Sequence, residues 1–442
     1  MSPASPIDSL TRAIDAALAD QPGAPVWIGL SGGVDSSTLL ACAARSPLVR
    51  ERGLQALHVH HGLHADADRW AEHAVAFAAQ HGVPCRVMRV HVDARGQGIE
   101  AAAREARHAA FGEVLSPGAQ MLLAHHLEDQ AETLLLRLLR GAAVDGLGAM
   151  RPARELGPGC LLRPWLAQPR ARILEAARSL GIEWIEDPAN ADLRHDRSYL
   201  RQQVWPLLAA RFPALGERLA RLADHAASVT DELEELAQRR LAELAGPDRT
   251  RLSISGLLQL GDALFGAVLR RFARQLGVAP PGFHELKRLR QEVLLAAVDA
   301  NPILRWDGCE FRRYREHLYL LPQAATLPAP KVELTWDAGS DNLELPETLG
   351  HLRLVDATGT PAKAAVALSV RWRRGGESLR PVGSAHTREL RLLFQELGVP
   401  TWQRERVPLL FDGKQLVAAV GVAASARLGE LWPGIRVEWV QP

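Results

Sequence analysis

Val26-Trp-Ile-Gly-Leu-Ser-Gly-Gly-Val-Asp-Ser-Ser37 runs from an apolar stretch into a glycine turn, and Thr38-Leu-Leu-Ala-Cys-Ala-Ala44 continues with helix-forming residues. A strand, a glycine turn and a helix start in that order build an anion cradle. Gly32 and Gly33 permit positive φ and close approach of phosphate oxygens to the backbone. The free N–H groups and the dipole of the following helix then favour an anion. Ser36 and Ser37 are expected to cap that helix and add hydroxyl donors. No G-x-x-x-x-G-K-[ST] is present, so the loop does not grip a γ-phosphate in the Walker manner. Asp35 would repel phosphate unless a divalent cation lay between them, which implies Mg²⁺. The plain alternative is an ordinary Ser/Gly turn before a helix.

Ser31-Gly-Gly-Val-Asp-Ser-Ser37 resembles the PP-loop of the N-type ATP pyrophosphatases, with its SGGxDS pattern. The resemblance implies a parallel-sheet α/β domain that releases pyrophosphate and adenylates its substrate, with Ser31, Gly32, Gly33, Val34, Asp35, Ser36 and Ser37 holding ATP. It leaves the acceptor open.

A chain of 442 residues has room for two or three domains. With 47% hydrophobic and 23% charged residues it reads as an ordinary soluble protein. No apolar run approaches a membrane span and the start lacks a signal-peptide layout, so a cytoplasmic protein without membrane partners is expected. Cys42, Cys85, Cys160 and Cys309 are scattered without a CxxC, which removes a disulfide framework, a zinc site and a thioredoxin-like pair. Lysine first occurs at Lys287, so the first half cannot form an adenylated-lysine enzyme intermediate. From Arg371 to Arg406, eight arginines face Glu377, Glu389, Glu396 and Glu405 on a chain of net charge +1. Such a basic patch suits a phosphate backbone.

Strand and helix alternate through the first half. Leu54–His60, Arg86–Val92 and Met121–Ala124 read as strands; Arg69–Gln80, Glu100–Phe111, Asp129–Arg140 and Pro164–Gly181 read as helices. The alternation predicts a parallel sheet with ligands at the carboxyl ends of its strands. Glu217–Leu244 and Asp262–Leu276 then read as amphipathic helices of a mainly helical middle domain. A stretch of linker composition, 322–330, precedes short alternating runs expected to form a small C-terminal α/β domain. Boundaries are placed at 1–213, 214–322 and 323–442.

His125-His-Leu-Glu-Asp-Gln-Ala-Glu132 follows a buried strand and opens a helix, and Asp129 and Glu132 share one face of its first turn. Acidic residues favour helix starts through the dipole alone. Beside a phosphate loop, two carboxylates also suit Mg²⁺, held with Asp35, or an ammonium group. The adjacent histidines suit a polar pocket wall better than a metal site. Glu100, Arg104, Arg107 and Phe111 share a helix face. Arg104 or Arg107 could act as a donor that neutralises departing pyrophosphate, the alternative being a surface ion pair of ~0.3–0.5 kcal/mol between Glu100 and Arg104. His58-Val-His-His-Gly-Leu63 ends a strand where nucleotides often bind, although strand-end histidines are commonly structural. The polar stretch Glu186–Arg201 has Arg194, Arg197 and Arg201 at helical spacing.

Taken in order, SGGVDSS, HVHHGLH, EAAAREARHAAF, LLAHHLEDQAETLLLRLLRGAAVDGLGAM and WIEDPANADLRHDRSYLR resemble the motifs of the bacterial tRNA(Ile)-lysidine synthetase family. RWRRGGESLRPVGSAHTRELRLLFQELGVPTWQRERVPLL resembles that family's terminal domain. The resemblance implies transfer of free L-lysine to C2 of the wobble cytidine in a CAU-anticodon tRNA(Ile), at the expense of ATP with Mg²⁺. It implies catalytic roles for Arg104, Asp129, Glu132 and Arg197, metal contacts from Asp35 and Asp129, and tRNA contacts from Arg371, Arg373, Arg374 and Arg391. A tRNA thiolase is the nearest rival, but its paired cysteines are missing; a silent tRNA-binding protein would not need Ser31–Ser37 intact. The oligomeric state is left open, a homodimer being one option.

Overall fold

The computed structural model describes residues 5–440 apart from 22, 94–97, 143, 187–191, 247–249, 298–299, 323–329, 347–348 and 364. Two compact units divide the chain, Met1–Glu232 and Leu233–Pro442.

In the first unit the elements run α1 (Pro6–Leu18), β1 (Val26–Gly29), α2 (Val34–Ala43), α3 (Pro47–Arg52), β2 (Leu54–His60), α4 (Ala67–Gln80) and β3 (Cys85–Arg89). Then follow α5 (Ile99–Val114), β4 (Gln120–Leu122), α6 (Leu127–Leu139), α7 (Val144–Leu147), β5 (Ala153–Leu156), β6 (Gly159–Leu162) and α8 (Arg170–Ser179). One sheet has the order β3-β2-β1-β4-β6-β5. Every neighbouring pair is parallel except the β5–β6 hairpin at the edge. The chain leaves β1 toward β2 and later returns to its other side as β4. The carboxyl ends of β1 and β4 therefore flank a topological switch point, where open α/β sheets bind ligands.

Alternation along β1 explains why both faces are covered. Val26 and Ile28 join a core with Leu10, Leu39, Trp165 and Ile173 from α1, α2 and the region of α8. Trp27 points the other way and packs with Phe111, Leu115 and Met121. The expected helix over 164–181 starts only at Arg170, because Pro164 and Pro169 precede it and Pro169 is its N-cap. After 187–191, α9 (Asp196–Tyr199) passes through a π-helical stretch (Leu200–Val204) into α10 (Trp205–Arg211). α11 (Leu215–Leu244) begins in the first unit and ends in the second.

The second unit opens with β7 (Arg251–Ser253), α12 (Ile254–Leu258), α13 (Asp262–Gln275) and α14 (Phe283–Arg288), followed by β8 (Ile303–Trp306), β9 (Cys309–Tyr314) and β10 (His317–Pro322). Phe265, Phe272, Leu289 and Phe311 form a core between these helices and an antiparallel β7-β10-β9-β8 sheet. The linker expected at 322–330 lies almost wholly outside the described residues. Beyond it, β11 (Leu334–Trp336), β12 (Asn342–Glu344), β13 (His351–Val355), β14 (Leu368–Arg371), β15 (Ser378–Leu379) and β16 (Arg388–Glu389) precede α15 (Leu390–Glu396) and α16 (Thr401–Arg404). β17 (Leu409–Asp412), β18 (Gln415–Ala419), β19 (Ala423–Ala424), α17 (Ala426–Leu431) and β20 (Arg436–Val440) complete the chain. Antiparallel sheets β11-β14-β17-β18-β19 and β12-β13-β20 contribute to a core containing Trp336, Val370 and Trp432. Among the described residues no helix is long and apolar enough to cross a membrane.

Candidate active site

The glycine turn is built as its residues dictate. Gly32 sits at φ +88°, the left-handed region that a side chain resists. Gly33 is the N-cap of α2, and no side chain caps this helix. The serines do not act as the expected caps, because they lie inside the first turn. Ser36 Oγ instead donates to Gly33 O (3.1 Å) and lies 2.9 Å from Ser31 Oγ, which ties the loop to itself. The Ile185 N–H donates to Gly32 O at 3.0 Å, so the chain after α8 braces the turn. His58, buried at the end of β2, has Nδ1 2.9 Å from Leu30 O and pins the end of β1. That is a structural task. Burial holds its pKa below the ordinary value.

Asp35 faces away from these bonds. Its Oδ1 is buried without a hydrogen-bond partner, and so is Ser37 Oγ. Burial raises the Asp35 pKa, against the pull of His126 and Arg170. The nearest basic groups are His126 Nε2 at 4.0 Å and Arg170 Nε at 3.8 Å. Asp35 Oδ1, a hard oxygen without a hydrogen-bond partner in the first turn of α2, fits Mg²⁺, which takes one or two protein oxygens and completes its shell with phosphates and water. Among the described residues no group of three or more His, Cys, Asp or Glu is arranged as an all-protein metal cage.

His126 joins the loop to α6. It is the N-cap, with Asp129 returning the capping-box bond to its N–H at 3.2 Å, so α6 starts two residues before the expected Asp129. Its ring lies 3.1 Å from Glu128 Oε2 and 3.3 Å from Asp129 Oδ2, besides Asp35. Burial opposes protonation, yet the Glu128 hydrogen bond and the Asp129 and Asp35 charges raise its pKa.

The second half of the site is a four-membered charge network. Arg197 Nη2 donates to Asp129 Oδ1 (2.9 Å) and its Nε to Glu132 Oε2 (3.0 Å). Arg201 Nε donates to Glu132 Oε1 (2.7 Å) while its Nη2 reaches both Asp129 Oδ1 and Glu132 Oε2 at 2.8 Å. Asp129 and Glu132 are thus brought together as their spacing implied, each already neutralised by arginine. Glu132 is only 1% exposed. Burial works against ionising Asp129, but His126 and Arg197 lead the charges that hold its pKa at about 2. Both Asp129 oxygens have protein donors, whereas Asp35 Oδ1 has none, so the two residues expected to share a metal differ in what they have free to offer.

Other expectations separate. Arg194 pairs with neighbouring Asp192 at 2.6 Å and stays exposed, outside the network. Arg104 is exposed on α5 and lies in the field of His108 and Arg163; the Glu100 side chain and residues 187–191 fall outside the described residues. The sequence shows Arg201 at helical spacing from Arg197 but gives it no role of its own, and it does not single out Glu128 or Arg163; nothing local marks Arg163 as buried. In the second unit, Arg371 pairs with Glu333 at 2.8 Å and lies over the Phe411 ring. Arg373 approaches Glu377 at 3.8 Å, and Arg374 and Arg391 are exposed.

Comparisons with known proteins identify the family. Residues 7–208 match the PP-loop domain family, 252–319 the TilS substrate binding domain, and 368–439 the TilS substrate C-terminal domain. The tRNA(Ile)-lysidine synthase of Yersinia pseudotuberculosis is 40% identical over 94% of each chain. That of Xylella fastidiosa is 42% identical over 92% of each. The Xanthomonas axonopodis pv. citri protein of the same name is 44% identical over 90% of this chain and 89% of its own. A solved U34-tRNA thiolase NcsA from Methanococcus maripaludis aligns with a TM-score of 0.40 and 16% identity over 50% of this chain and 79% of that one, too loosely to argue from. With a PP-loop flanking the switch point and relatives matched nearly end to end, the chain belongs to the tRNA(Ile)-lysidine synthase family.

Proposed function

We propose that this ligase joins free L-lysine, through its side-chain amine, to C2 of the wobble cytidine of a CAU-anticodon tRNA(Ile), switching its reading from AUG to AUA. One observation carries the reading: His126 bridges the loop carboxylate Asp35 and the Asp129 carboxylate of the Arg197/Arg201 network, across the ends of β1 and β4. A nucleotide cradle beside a carboxylate pair suited to an amine supports the reading.

The chemistry needs both. Cytosine O2 is a poor leaving group, so O2 first attacks the α-phosphorus of ATP and pyrophosphate departs. The lysine ammonium gives up a proton to a carboxylate or a bound phosphate, the free amine attacks C2, and AMP leaves with the oxygen. Ser31–Ser37 and the N-terminus of α2 hold the phosphates. Asp35 would hold Mg²⁺, which supplies charge neutralisation for the phosphates. Asp129 and Glu132 receive the ammonium in competition with the arginines already there, and Arg197 shapes the lysine and cytidine pocket. Arg104 stabilises charge as pyrophosphate departs. Residues 1–213 supply catalysis, while 214–322 and 323–442 hold the tRNA, the latter through Arg373, Arg374 and Arg391.

Release of AMP and pyrophosphate is the test, measured with and without lysine and a CAU-anticodon tRNA. Turnover is expected only with both present. Turnover without lysine would overturn the reading.

A further inference from the structure

Arg163, next after β6, is 4% exposed yet has no carboxylate among its hydrogen-bond partners in the described residues. Its Nη1 donates to Arg151 O at 2.7 Å and its Nε to His125 Nδ1 at 3.2 Å. Burying a guanidinium without an acid is expensive, and an apolar side chain would fill the same space at less cost. Burial, with Arg154 and Arg104 nearby, lowers its pKa to about 10, so it is still a cation at neutral pH. A guanidinium only donates. His125 Nδ1 must therefore accept, and the ring proton resides on Nε2. Burial drives the His125 pKa down to about 3, with Arg163 and Arg197 reinforcing it against Asp129. The ring is neutral, with one donor on the edge away from Nδ1. It lies three residues beyond β4 and one before the N-cap of α6, in the field of Asp129, Arg197 and Arg107.

We infer that Arg163 is a positioning residue that locks His125 as the Nε2–H tautomer, presenting one uncharged donor to the acceptor edge (O2 or N3) of the pyrimidine base. Phosphates and carboxylates in this site have arginines to meet them. A carbonyl or ring-nitrogen acceptor is matched by a neutral N–H of fixed direction, and an imidazole free to change tautomer would present an acceptor there whenever it took the Nδ1–H form. The inference rests on the proposed base-modifying reaction for its substrate, and on the Arg163–His125 contact alone for the lock.

Two readouts test it on the full-length enzyme. In ¹⁵N-histidine-labelled protein, the signal lost in His125→Gln is expected to show the Nε2–H pattern, and to change to a mixed or Nδ1–H pattern in Arg163→Met but not in Arg163→Lys. In kinetics, Arg163→Met is expected to lower kcat/KM for tRNA about tenfold, with ATP binding in the absence of tRNA unchanged within twofold. A glutamine at 125 carries its own N–H donor and needs no tautomer control, so the same Arg163→Met change should cost less than threefold in the His125→Gln background. An unchanged tautomer in Arg163→Met, or equal losses in both backgrounds, overturns the inference; if the methionine variant fails to fold, a wild-type His125 signal without the Nε2–H pattern overturns it alone. If wild-type enzyme shows no lysine- and tRNA-dependent turnover, the proposed function fails, and the spectra still judge the lock.

Discussion

Glu132 is a carboxylate at 1% exposure with three hydrogen bonds from two arginines, and Arg201 supplies two of them. Pairing of this kind adds little net stability, because both charges lose water, but removing one partner leaves the other buried and uncompensated. Arg201→Met is therefore expected to destabilise the first unit by about 3 kcal/mol, read from urea unfolding. Arg201→Met with Glu132→Leu should recover much of that loss. A double variant as unstable as the sum of the singles would show that the pair is not the source. The sequence displayed Asp129 and Glu132 as one helix face, since three-residue spacing is a local property. It could not display their neutralisation, which depends on a helix more than sixty residues later, nor the burial of Arg163, which depends on the packing beyond β6.

Elements were legible where periodicity was strong. β1, β2 and β4 lie where apolar runs placed them, and the glycine turn and α6 follow their strands as expected. The β5–β6 hairpin escaped because its two four-residue strands are short, and its outer strand carries Arg154 and Glu155 on an exposed edge. Yet β6 pairs with β4 and carries Arg163 at its end, so the hairpin sets one wall of the site. Gly159 makes this possible. A Cβ there would overlap the Ala119 carbonyl oxygen, which already accepts the Cys160 N–H at 3.0 Å, and would also press on Leu115 Cδ1 at 3.2 Å. Backbone cannot swing away as a side-chain end can. Gly159→Ala is expected to lower stability by about 2 kcal/mol or more, measured by thermal unfolding. A neutral effect would mean the β4–β6 register tolerates a shift.

At the scale of the whole molecule, the question is how a chain of net charge +1 holds a polyanion. The basic run in the terminal domain answers it only in part, because its arginines differ in what they are free to do. Arg371 is 27% exposed, paired with Glu333 and stacked over Phe411, so its guanidinium is spoken for by the fold. Arg391 is 62% exposed and 3.8 Å from Glu389. Arg374 is exposed, and Glu377 accepts its backbone N–H rather than its side chain. Surface pairs as loose as that of Arg391 contribute little and yield readily to phosphate. Each phosphate contact formed releases counterions, which makes affinity fall with salt by a slope of about 0.7–0.9 per contact. Arg374→Ala with Arg391→Ala is therefore expected to weaken tRNA binding and to reduce the salt slope by between one and two, with the melting temperature unchanged. Arg371→Ala should instead lower stability by roughly 1 kcal/mol through the lost pair and ring contact. Titrating both variants with tRNA across a salt series separates the two classes of arginine. Unaltered affinity and slope in the double variant would remove this surface from the tRNA interface.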